Sequence, residues 1–108
     1  MARDPVRDPH GLVFDEPFTG LDPEGMYHVR ETMSTLASEG RSIILVTHYP
    51  EDIIPAIGRV MLIKNAAIFA DGPKDQILCD KVLSELFDVP LVVDEHDGWY
   101  SMRGRYGA

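Results

Sequence analysis

Cysteine is almost absent from this chain: Cys79 is the only one in 108 residues. An intrachain disulfide and a cysteine-built zinc cage are therefore excluded, and the expectation is a small, buried or half-buried thiol. Long apolar runs are missing as well. Stretches such as Ile43 to Val46 fall far short of the roughly 20 residues a bilayer-spanning helix needs. Met1 to His10 is polar and broken by prolines, which does not read as a secretory leader, so the expected location is cytoplasmic. Positive charge is scarce, with 10 Lys and Arg against 18 Asp and Glu and a formal net charge of -8. Nucleic acid is thereby disfavoured as a partner, because that affinity comes from basic side chains displacing counterions. Gly-Gly pairs do not occur at all.

The remaining composition, 44% hydrophobic and 26% charged, is that of an ordinary globular domain. The repeated Arg-Asp-Pro at 3–5 and 7–9 suits a connector. Gly11 to Asp15 does not alternate and reads as a strand buried on both faces. Asp22 is a good helix N-cap, Pro23 fits the first helical position, and Glu24 suits the positive helix start. Met26, Val29, Met33, Leu36 and Ala37 then form one apolar stripe, which Gly40 closes. Ser42 to Thr47, rich in β-branched residues, reads as a second strand buried on both faces. Strand, helix and strand in that order imply a parallel pair joined by a crossover.

Further along, Pro55 limits Pro50 to Ile57 to a short helix. Arg59 to Lys64 and Ala67 to Asp71 read as a hairpin around Asn65-Ala66. Pro73 to Phe87 reads as two short helices broken near Cys79 and Asp80. Pro90 to Glu95 and Trp99 to Arg103 flank Asp97-Gly98, a strong turn signal, and make a terminal hairpin. Trp99 and Tyr100 read as packing for that hairpin, and His10, His28 and His96 as surface residues without metal spacing. Asp94 to Asp97 reads as solvated turn chemistry.

The chemistry concentrates where the two apolar strands stop. Parallel neighbours end on the same edge, and open α/β sheets bind ligands outside those carboxyl ends. Asp15, Glu16 and His48 should therefore emerge together. Taken singly, each has a duller reading: a strand-end carboxylate satisfied by amides, a surface acid, a capping or solvent-facing imidazole.

Leu12-Val13-Phe14-Asp15-Glu16-Pro17, Thr19-Gly20-Leu21-Asp22 and Val46-Thr47-His48, in this order and spacing, resemble the C-terminal half of an ATP-binding cassette (ABC) ATPase. The likeness extends over residues 11 to 87 and is importer-like after His48. The resemblance implies an α/β fold, part of the RecA-like P-loop NTPase fold, with residues 1–88 as the cassette half and 89–108 as a β-hairpin extension. It implies that Asp15 belongs to the Walker B strand and binds magnesium through water. Glu16 would be the catalytic glutamate, His48 the switch histidine, and Asp22 part of the D-loop that reaches a partner's nucleotide site. ATP and magnesium are the implied cofactors; a cassette dimer and membrane permease subunits are the implied partners.

A phosphate cradle needs Gly-x-x-x-x-Gly-Lys-Ser/Thr. Gly20 and Gly25 have the glycine spacing, but Met26 and Tyr27 replace the lysine and the hydroxyl. The LSGGQ-type signature is absent too, and Ala66 stands where the family usually has a turn glycine. The chain alone is therefore expected not to hydrolyse ATP. Its second strand should carry an open apolar edge that another polypeptide, supplying the N-terminal cassette half, or a second copy completes. Two other readings are a soluble ABC ATPase without a transporter and a non-enzymatic relic or interaction module that docks through the terminal hairpin.

Overall fold

A computed structural model describes residues 11–107. The Arg-Asp-Pro repeat, Pro5 and His10 lie outside the described residues. The chain divides into two compact units, with the boundary between Ala56 and Ile57.

In the first unit, β1 (Leu12–Asp15) leads to α1 (Pro23–Ser38) and then to β2 (Ile43–Val46), followed by one 3-10 turn at Pro50–Asp52. Helix α1 starts where the sequence signals it. The Asp22 carboxylate accepts the Gly25 amide at 2.8 Å, satisfying one of the unpaired donors of the first turn, and Pro23 follows. It ends at Gly40, whose φ of +83° lets the chain turn back while the amides of Gly40 and Arg41 satisfy the carbonyls of Ala37 and Leu36. The apolar stripe faces inward: Met33 is fully buried, and Met26, Val29, Leu36 and Ala37 are half-buried.

Strands β1 and β2 pair in parallel, Leu12 opposite Ile43 and Asp15 opposite Val46, so both end at one rim. Helix α1 lies against β2. Burial on both faces, the expectation for these strands, is overturned. Leu12, Phe14, Ile43 and Leu45 are half-buried, whereas Val13, Ile44 and Val46 are 66%, 59% and 44% exposed. The physical reason is a missing layer. Parallel strands read as continuous apolar runs because such sheets are normally covered on both sides, and among the described residues this face has no cover. The two strands form a two-stranded sheet, so the outer edge of β2 is unpaired among the described residues.

The second unit holds two antiparallel hairpins and two short helices. Strands β3 (Arg59–Lys64) and β4 (Ala67–Pro73) turn at Asn65 and Ala66, with φ of +54° and +63°, the pattern of a type I′ turn. Alanine thus occupies a position whose backbone suits glycine. Helices α2 (Lys74–Ile77) and α3 (Asp80–Phe87) break at Leu78-Cys79, and Cys79 is half-buried. Strands β5 (Leu91–His96) and β6 (Trp99–Gly104) turn at Asp97-Gly98, again with both φ values positive.

Leu78, Leu83, Leu91 and Tyr100 are buried, and α3 packs on β5. The Asp80 carboxylate and the Ser84 hydroxyl on α3 accept the amides of Val93 and Leu91 at 2.7 and 2.8 Å. Lys74 is buried, with its ammonium over the Tyr100 ring and donating to the Gly98 carbonyl. Burial pushes that ammonium's pKa down, partly countered by Glu95.

Candidate active site at the rim of the parallel strands

Asp15 is the last residue of β1 and is exposed at the rim. One residue on, the Glu16 amide donates to the Val46 carbonyl at 2.8 Å, extending the parallel ladder past the strand. The backbone of Glu16 then enters the left-handed region at φ +49°. For a non-glycine residue this is strained by about 1–2 kcal/mol, and such strain concentrates at functional sites. The turn that follows is closed by the Thr19 amide on the Glu16 carbonyl and the Leu21 amide on the Phe18 carbonyl.

His48 follows β2 by two residues. Its Nδ1 lies 2.9 Å from Glu16 Oε2, with 70% of the imidazole side chain and 37% of the carboxylate side chain exposed. The structure thus brings Glu16 and His48 together and places Asp15 at the same rim. Asp22 is engaged differently, as the cap at the start of α1. Gly25, Met26 and Tyr27 lie in the first turns of α1, so Met26 and Tyr27 occupy the places where a phosphate cradle has its lysine and its Ser/Thr hydroxyl.

Sequence reasoning missed a second cluster beside the pair. Asp52 is 9% exposed and accepts hydrogen bonds from the Thr47 hydroxyl and the Arg30 guanidinium. A carboxylate four residues after His48, on the only short turn that Pro55 allows, was the available signal.

Among the described residues, no group of three side chains is placed to hold a metal ion. Asp15 offers the hard oxygen donor that magnesium accepts. A single carboxylate suffices only where phosphate oxygens and water complete the coordination, so the donor chemistry fits magnesium bound together with a nucleotide's phosphates.

No family model matches the chain. It is 36% identical over 95 residues to YlmA of Bacillus subtilis, an uncharacterised ABC transporter ATP-binding protein, in a match taking in 86% of this chain and 36% of that protein. Nod factor export ATP-binding protein I of Bradyrhizobium diazoefficiens is 30% identical over 89 residues, 82% of this chain and 29% of the relative. The relatives that match more than four fifths of this chain are thus ATP-binding proteins of the ABC transporter family. The fold agrees with that family. A candidate metal-chelate type ABC transporter in an inward-facing conformation aligns with a TM-score of 0.74 at 19% identity, over 90% of this chain and 40% of that one. The cbiO1 protein of Clostridium perfringens, part of the ABC transporter complex cbiONQ, aligns with a TM-score of 0.54 at 27% identity, over 74% and 32%. The chain thus spans about a third of the length of the relatives it matches. Among the described residues, no helix is long and apolar enough to cross a membrane.

Proposed function

We propose that this chain is the Walker B, D-loop and switch-histidine part of an ABC transporter's ATP-binding subunit, and that it works with a polypeptide supplying the phosphate cradle. The observation that carries this reading is the 2.9 Å contact between Glu16 and His48 at the common end of two parallel strands. A carboxylate and an imidazole so placed can share one water molecule and the terminal phosphate beside it. Glu16 orients and polarises the attacking water. His48 contacts the terminal phosphate and reports its presence. Asp15 holds the hydrated magnesium, whose contribution when bound is to neutralise charge developing on the phosphates. Asp22, beyond its capping bond, sits in the loop that approaches the second site of a cassette dimer.

The uncovered face of Val13, Ile44 and Val46 and the unpaired edge of β2 support a completing partner. Its occupant is the polypeptide that carries Gly-x-x-x-x-Gly-Lys-Ser/Thr. Residues 1–88 act as the cassette part and 89–108 as its hairpin extension. In this reading the subunit is cytoplasmic and meets the membrane through permease subunits; the name of the cbiO1 complex supports that kind of assembly.

Alone, the chain has negligible affinity for magnesium-ATP, because a net charge of -8 opposes a polyanion and no cradle offsets it. Isothermal titration of the full chain should show no heat of binding; micromolar binding would overturn this part of the reading. Co-expression with a P-loop-bearing cassette half should give a complex that hydrolyses ATP and loses that activity on Glu16→Gln. An active complex indifferent to Glu16→Gln would sink the assignment of Glu16.

A further inference from the structure

We infer that Asp52 and Arg30 are positioning residues for the Glu16–His48 pair, acting from beneath both of its loops; this rests on the functional reading above. An ion pair as exposed as Glu16–His48 contributes too little to hold its own geometry. Something less exposed must set the two backbones.

On the His48 side, Asp52 accepts the Thr47 hydroxyl on one oxygen and Arg30 Nη2, at 3.3 Å, on the other. The Thr47 hydroxyl oxygen in turn accepts the Tyr49 amide at 3.2 Å, and the Asp52 amide donates to the Tyr49 carbonyl at 3.1 Å. The residues immediately before and after His48 are therefore both tied to Asp52. On the Glu16 side, the same Arg30 guanidinium stacks over the Phe18 ring, 4.8 Å from its centroid. Phe18 is buried, two residues after Glu16, inside the turn whose first amide bond ends on the Glu16 carbonyl.

One guanidinium on α1 thus spans both loops. The planar Arg fork suits this double duty, bonding in its plane and stacking on its face. Asp52 is largely buried, so removing Arg30 leaves its charge without that partner and the turn after β2 free to shift.

The test is nuclear magnetic resonance on the full chain with labelled histidine side chains, reading the His48 Nδ1 signal. Glu16→Gln removes the contact directly and sets the reference shift. Asp52→Ala is expected to move the signal the same way by at least half that reference. Thr47→Val is expected to follow it and Thr47→Ser to restore the wild-type position. Met33→Ala, which removes a different, fully buried side chain of α1, should leave the signal in place. Should Asp52→Ala fail to fold, Asp52→Asn and Arg30→Lys carry the comparison, with the same direction of shift expected. If Glu16→Gln moves the signal and the Asp52, Arg30 and Thr47 variants do not, the positioning role is overturned while the pair stands. If Met33→Ala moves it equally, the effect is general destabilisation and the inference is overturned. If Glu16→Gln leaves the signal unmoved, the pair itself fails, and the functional reading falls with it.

Discussion

Glu16 offers a test in which the usual ranking of alanine and glycine should invert. Its φ of +49° places a residue with a Cβ in the left-handed region, at a cost of about 1–2 kcal/mol relative to glycine. Glycine gives back about 0.5–1 kcal/mol through its greater unfolded-state entropy. The net expectation is that Glu16→Gly is more stable than Glu16→Ala by roughly 0.5–1 kcal/mol. Both variants lose the contact with His48 equally, and that contact, 37% and 70% exposed, contributes about 0–1 kcal/mol. Glu16→Gly should therefore lie within about 1 kcal/mol of wild type even though the carboxylate is gone. The assay is urea unfolding of the full chain, with unchanged slopes showing that both variants expose the same surface on unfolding. Equal stability of the two variants, or a more stable alanine variant, would refute the claim that the backbone at Glu16 is held in strain for the sake of the site.

Three further outcomes are expected. Ala66→Gly should stabilise the second unit by roughly 0.5–1 kcal/mol in urea unfolding, because Ala66 sits at φ +63° in a turn that favours glycine. Asp22→Ala should cost about 1 kcal/mol through loss of the α1 cap, and Asp22→Asn, which keeps the capping oxygen, should recover most of it. Burial, and then the carboxylates of Glu95 and Asp75, push the Tyr100 phenol above its ordinary value of about 10. The folded state therefore keeps that proton where the unfolded chain releases it, and stability should fall as pH rises from about 10 through the raised value. Phenolate absorbance of wild type minus Tyr100→Phe should show a group titrating above 10; a difference curve centred at or below 10 would contradict the burial argument.

The order of elements was legible because short-range chemistry specifies it. Asp22-Pro23 and Gly40 bracket α1 whatever surrounds them, since a cap and a left-handed stop act within one helical turn. Asn65-Ala66 and Asp97-Gly98 likewise place both hairpin turns. The convergence of Glu16 and His48 was legible for a topological reason: parallel strands finish at one edge, so residues just past each end meet there.

Other features were decided only in three dimensions. Which faces of β1 and β2 meet other atoms depends on what packs there, and an apolar run carries no record of whether its second covering layer is present, so Val13, Ile44 and Val46 emerged exposed. The tie from Arg30 to Phe18 and Asp52 joins residues from a turn, a helix and a second turn whose spacing has no short-range rule. Sequence by itself determined the elements, their order and the carboxylates and imidazole at the strand ends, because those follow from local backbone chemistry and strand direction. Only the tertiary structure decided the strain at Glu16, the uncovered sheet face and the network beneath the site, because each arises from contacts between segments that the chain must first fold to bring together.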